Sequence, residues 1–250
     1  MIEFPKTSLD EVLNSCALTS LYFRNTDEPI LSRYVYRAIK LGISPIHQIL
    51  PAGRYCIAGG VFRSLFFNEV PCDVDIYPLD SETAIIEIWQ NSAFHNYHTK
   101  RVSIDIDEIQ AHIEVITFDE LKNIPYKIQL ISKNISINNT CIIPKTVNDI
   151  VSSFDIIPAC FGVDITVDGH AGFTINEIVI HPDYFYSVSN KLLLLNTESS
   201  PFYEKRMTAE RFYKYIVNYG FRIPDNEVMS QFNKLINKTP YKLSGECDYA

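Results

Sequence analysis

IAGGVFRSLFFNEVPCDVDIYPLD, residues 57–80, is the stretch on which the fold turns. An apolar strand runs into Gly59-Gly60, a short apolar helix carrying Arg63 follows, and Asp73-Val74-Asp75 returns on a second strand. Neither glycine has a side chain to keep another group off the backbone. The following helix directs free N–H groups and the positive end of its dipole at the same space. Arg63 sits about one turn in, where a guanidinium can fork onto phosphate oxygens. Period-two alternation sets Asp73 and Asp75 on one face of their strand and turns Val74 into the core. Two carboxylates side by side repel unless a cation lies between them. Mg²⁺ is such a cation, and it prefers few carboxylates together with phosphate oxygens. Two such ions roughly 4 Å apart serve an in-line displacement. Taken singly, each feature has a plain reading: a turn, a solvated strand face, a surface arginine.

The rest of the chain narrows the classes. Its 250 residues are long enough for a sizeable core, and they are 46% hydrophobic and 21% charged. A net charge of −8 excludes a protein that coats long duplexes through a basic face. The six cysteines are scattered without a C-x-x-C pair, so reduced thiols and a cytoplasmic location are expected. His95 and His98 form a lone H-x-x-H with no ligand cluster, which gives no zinc site. There is no 18-residue uncharged apolar run and no basic-then-apolar start, so neither a membrane span nor a signal peptide is expected.

Periodicity predicts an α+β fold: a mixed sheet with helices, flanked by N-terminal and C-terminal helical segments. The expected division is 1–52 helical, 53–180 an α/β core, and 181–250 helical. TSLDEVLNSCALTSLYF and EPILSRYVYRAIKLGIS read as the first two helices, the second opened near Pro29 and stopped by Gly42. SETAIIEIWQNSAF reads as another helix, and KRVSIDID, AHIEVITF and YKIQLIS as strands. TVNDIVSSF is a short helix before a strand or hairpin in DIIPACFGVDITVDGHAGFTI. From NEIVIHPDYF onward the texture is helical, with MTAERFYKYIVNYGF capped by Thr208 and closed by Gly220, and one more helix in the tail.

G-G-x-x-R followed after nine residues by D-x-D resembles the nucleotide-binding signature of the polymerase-β-like nucleotidyltransferases, in the branch of bacterial CCA-adding enzymes and poly(A) polymerases. Asn68 stands where that branch often has a glycine ending the helix, and Asn tolerates the left-handed conformation. Downstream, HIEVITF is similar to the family's E-V-T-T-F, which makes Glu114 the implied third carboxylate, with Asp105 and Asp107 as competitors. SSFDIIPACFGVD is similar to R-R-D-F-T-I-N-A, with Asp155 and Ala159 matched but Ser153 and Phe154 in place of both arginines. EKRMTAERFYKYIVNYGF is similar to the neck helix E-D-x-x-R-x-x-R-x-x-R-F-x-x-x-L-G-F through Glu204, Arg211 and Gly220-Phe221. Lys205 and Thr208 replace the aspartate and arginine that select C or A in the family, so that selection is not expected here. The resemblance covers roughly residues 53–222.

The resemblance implies a metal-dependent nucleotidyltransferase that moves a nucleoside monophosphate from an NTP to a hydroxyl and releases pyrophosphate. Mg²⁺ or Mn²⁺ is then held by Asp73, Asp75 and Glu114, and the nucleotide by Gly59, Gly60, Arg63, Asp155, Glu204 and Arg211. Phe212 or Tyr215 is a candidate to stack the base, against a plain reading of both as core. The acceptor stays open between an RNA 3′ end, tRNA included, and a protein side chain. The competing class is an inactive head that binds a nucleotide or a partner, which the lost arginines favour and the intact aspartates oppose.

Overall fold

The structure, a computed structural model, describes residues 29–79, 97–106, 109–118, 124–137, 140–142, 144–168, 172–196, 206–224 and 229–230. In chain order these form α1 (Pro29–Gly42), β1 (Gly53–Ala58), α2 (Gly60–Phe66), β2 (Asp73–Pro78), β3 (Tyr97–Ile106), β4 (Ile109–Phe118), β5 (Lys127–Ile137) and β6 (Thr140–Ile142). Then come α3 (Val147–Ser152), a 3₁₀ turn (Ile157–Ala159), β7 (Phe161–Val167), β8 (Phe173–Ile180), α4 (Tyr184–Ser189) and α5 (Arg206–Tyr219).

The strands build one sheet in the order β3-β4-β5-β2-β1-β7-β8, with β6 paired to β5. It is mixed: β2 and β5 run parallel, and the other pairs antiparallel. The fold is therefore α+β, as its sequence pattern predicts. Alternation along β1 and β2 divides the core in two. Tyr55, Ile57, Val74 and Ile76 join one apolar cluster with α1 and α2, while Cys56, Ala58 and Tyr77 join another with α3 and α5. Helices thus cover both faces. On α1, Val35, Ile39 and Leu41 are fully buried, each contributing about 1.5–3 kcal/mol. On the other face α3 lies so close to β7 that a Cβ on Gly162 would stand 2.7 Å from Val151 Cγ2. Thr146 caps α3 through a reciprocal pair of bonds with Asp149, each 3.1 Å.

The aspartate strand, the glycine-ended strand and the helix after it form as expected, and Asn68 adopts the left-handed conformation (φ 56°). Two expectations are corrected. NEIVI is not helical but the second half of β8, where Glu177, Ile178, Val179 and Ile180 pair with β7 across a register shift at Asp164/Ile165. The β-branched residues that follow Asn176 extend the hairpin, and the helix waits until Tyr184. Thr208 does not cap α5, which already begins at Arg206; capping residues mark a helix start only to within a residue or two. The helices expected at 7–23 and 81–94 lie outside the described residues, as do Asp107 and Glu204. Among the described residues no helix is long and apolar enough to cross a membrane.

Candidate active site

Chain direction brings the end of β1 and the start of β2 to the same end of the sheet, with Ala58 opposite Asp75. Gly59 turns the chain from β1 into α2 with φ 91° and ψ −145°, a backbone that only glycine takes readily. A Cβ there would stand 3.4 Å from Asp75 Oδ2, whereas one on Gly60 would meet nothing within 4 Å. Gly59 is therefore required by the fold, and Gly60 opens onto space.

That space is a cleft half open to solvent. Asp73 and Asp75 line it together with Gly59, Gly60 and Arg63, Phe154 and Ala159 floor it, and α5 covers it through Arg211, Lys214, Tyr215 and Tyr219. Period two works as expected on β2: Val74 is fully buried in the core while both carboxylates reach the cleft. Asp75 is the deeper, at 4% exposure.

Arg63 is placed otherwise than its spacing suggests. Its guanidinium lies 3.3 Å from the centre of the Tyr219 ring and 5.2 Å from that of Tyr215, and it donates to Ser64 Oγ at 2.8 Å. Stacking of this kind ties α2 to α5. Arg211 forms a salt bridge with Asp155, the carboxylate at 6% exposure and the guanidinium at 15%. A strap spanning 191–196 fixes this corner: Asn196 donates its backbone N–H to Asp155 O and its amide Nδ2 to Phe154 O, both at 2.9 Å, and Leu193 N–H donates to Arg222 O beyond the end of α5. Lys214 Nζ stands 3.9 Å from Asp73 Oδ2. Burial, the largest single influence, pulls the Lys214 ammonium down, but Asp73 together with Tyr219, Cys72 and Tyr215 holds its pKa above the ordinary lysine value. Tyr215, pushed up to about 12 by burial, is a neutral phenol in the site.

Of the residues expected here, Gly59, Gly60, Arg63, Asp73, Asp75 and Arg211 share the cleft, and Asp155 reaches it through Arg211. Glu114 does not stand level with them. The residue level with Asp75 on neighbouring β5 is Gln129, and on β4 beyond it Thr117; Glu114 is paired with Ser132, three residues further along. Two strand spacings and three residues put about 10 Å across the sheet and about 10 Å along it between the two Cα positions, too far for one ion to bridge. Phe212 is core, fully buried, as the plain reading of its aromatic stripe has it. Lys214 and Tyr219 are cleft residues that the motifs did not single out, and Phe154 lines the cleft where the motif has an arginine. Lys214, Tyr215 and Tyr219 lie three, four and eight residues beyond Arg211, so helical spacing from Arg211 carries their signal.

Three positive groups (Arg63, Arg211, Lys214) meet three carboxylates (Asp73, Asp75, Asp155) at this corner. The donor set fits hard divalent cations: two carboxylates converge on an open space that has no Cβ at Gly60 to fill it.

The glycines give a first test. Gly59→Ala is expected to cost about 1–3 kcal/mol of stability in a denaturant titration, because of its φ of 91° and the approach to Asp75. Gly60→Ala is expected to melt like the wild type and to lose affinity only for a ligand that approaches the turn. A second test uses the thiols. Cys160, buried and held up to about 12, mainly by burial, is expected to resist iodoacetamide in the native protein near pH 8, while exposed Cys72 reacts. Mass spectrometry of the alkylated peptides reads both.

No known family model matches the sequence, and no curated protein matches it. In structure the chain is similar to the Thermotoga maritima CCA-adding enzyme complexed with tRNA, at 13% identity and a TM-score of 0.46, over 93% of this chain and 46% of that one. It is similar also to a CCA-adding enzyme in an apo form, at 12% identity and a TM-score of 0.49, over 83% and 45%. A tRNA nucleotidyltransferase complexed with a primer tRNA and an incoming ATP analog follows at 12% and 0.44, over 74% and 47%. The chain spans just under half the length of each.

Proposed function

We propose that the protein is a metal-dependent nucleotidyltransferase that binds an NTP in the cleft beneath α5 and moves its nucleoside monophosphate to an acceptor hydroxyl, releasing pyrophosphate. One observation carries the reading: the Gly59-Gly60 turn and the Asp73–Asp75 pair open into the same cleft. The charge balance supports it. A corner with three cations and three carboxylates is neutral, so an NTP with about four negative charges needs about two divalent ions to bind there without excess charge.

Asp73 and Asp75 would hold those ions, which supply charge neutralisation and a more acidic acceptor hydroxyl when bound. The Gly60 face would receive the phosphate chain, since nothing of the protein intrudes there. Tyr215 and Tyr219, fixed edge-to-face with ring centres 5.2 Å apart, form a rigid wall against which a base can lie. The chain's part is positioning and electrostatics, with no protein nucleophile in the transfer. The acceptor is a hydroxyl of an RNA 3′ end or of a protein.

A second reading, a head that binds a nucleotide without transferring it, is favoured by Phe154, which floors the cleft where the resemblance has an arginine, and by Arg63, whose guanidinium is already stacked on Tyr219. Thermal shift separates binding modes first. An NTP with Mg²⁺ is expected to raise the melting temperature of the wild type, and Mg²⁺ to make no difference to NTP binding in Asp73→Asn. Metal-independent stabilisation of both proteins would favour the second reading.

A further inference from the structure

Three cations border the cleft, and each is engaged differently. Arg211 is locked in its buried pair with Asp155. Arg63 is 3% exposed and stacked on Tyr219. Lys214 keeps about a quarter of its side chain exposed, and its Nζ stands 3.9 Å from Asp73 Oδ2, beyond the reach of a direct N–H···O bond. It is a charge contact on a flexible four-carbon stem, the arrangement from which an ammonium moves most easily.

We propose that Lys214 is the resident counter-ion of the Asp73–Asp75 pair and a positioning residue for the nucleotide: it offsets carboxylate charge in the metal-free protein, yields that charge to the divalent ion, and turns its ammonium onto the nucleotide's phosphates. The inference rests on the reading that the two aspartates hold a divalent cation.

A carboxylate-bound Mg²⁺ or Mn²⁺ lies about 2.1 Å from its oxygen. With Nζ 3.9 Å from that same carboxylate, ion and ammonium compete for one charge. Both positive, they repel at this range, and Lys214 either withdraws or lowers metal affinity several-fold. A phosphate chain arriving in the same cleft gives the displaced ammonium a new partner within reach of its stem. Removing Lys214 therefore has opposite effects on the two ligands. A merely structural lysine would weaken both or neither.

The test is Mn²⁺ binding by electron paramagnetic resonance on the full chain, without nucleotide and then with α,β-methylene-ATP at saturating Mn²⁺. Lys214→Met is expected to bind free Mn²⁺ about threefold to tenfold tighter and the analogue about tenfold weaker, with Lys214→Arg restoring the analogue. Asp73→Asn fixes the site by losing Mn²⁺ affinity. Unchanged or weaker Mn²⁺ binding in Lys214→Met, with wild type binding and Asp73→Asn not, overturns the inference and leaves the metal site standing. Absence of Mn²⁺ binding by the wild type, or identical binding by Asp73→Asn, overturns the metal site and the inference with it. Should Lys214→Met melt as an unfolded chain, Lys214→Gln carries the same comparison.

Discussion

Asp75→Asn is expected to lower nucleotide transfer by at least about 10³-fold while the protein stays folded. Asp75 is the deeper member of the pair, at 4% exposure, level with Ala58 on one side and Gln129 on the other. Asn has the same shape, so packing of β2 is preserved. What changes is charge: an ion held by two carboxylates loses one of them, and no third His, Cys, Asp or Glu among the described residues forms a metal-holding group in its place. Removing one of two close like charges also relieves repulsion in the metal-free protein. The melting temperature without metal is therefore expected to hold or rise by a few degrees. Parallel melting curves and transfer rates check both halves, and a loss of activity accompanied by unfolding would point to a structural role alone.

Arg211→Met is expected to cost about 3–5 kcal/mol of stability in a denaturant titration. Its partner Asp155 is 6% exposed and sits where the 191–196 strap, Phe154 and Cys160 close off water. Deleting the guanidinium strands a buried carboxylate, and the desolvation penalty then stands without its Coulombic offset. The double variant Arg211→Met, Asp155→Leu is expected to recover most of the loss, because paired apolar groups of similar size replace buried ion pairs at little cost. If the single change costs under about 1 kcal/mol, the pair behaves as an exposed one, and its place as an anchor of α5 over the cleft is wrong.

Much of this was legible from one short stretch. The strand into Gly59, the helix with Arg63, the left-handed Asn68 and the shared face of Asp73 and Asp75 all follow from local rules: glycine φ, period two, and a helix stop. What was not legible depends on register and on distant elements. E-V-I-T-F reads as an acidic strand next to the site, but the β4–β5–β2 register sets Thr117, not Glu114, level with Asp75, and register is a property of pairing rather than of one strand. Arg63 reads as a phosphate ligand because Tyr219, 156 residues away, is not visible beside it. Lys214 goes unmarked in the sequence for the converse reason. Its helical spacing from Arg211 is plain, but that it faces Asp73 is set only when α5 docks on the sheet end.

Following both ends of the NTP separates transfer from binding. Purified protein with Mg²⁺ or Mn²⁺ is offered α-labelled and γ-labelled NTPs in parallel, with total RNA or a lysate as acceptor and Asp73→Asn, Asp75→Asn as control. A nucleotidyltransferase puts α-label in an acceptor and γ-label in pyrophosphate, both lost in the control. Bound NTP with neither label moved, or γ-label in the acceptor, would contradict that reaction.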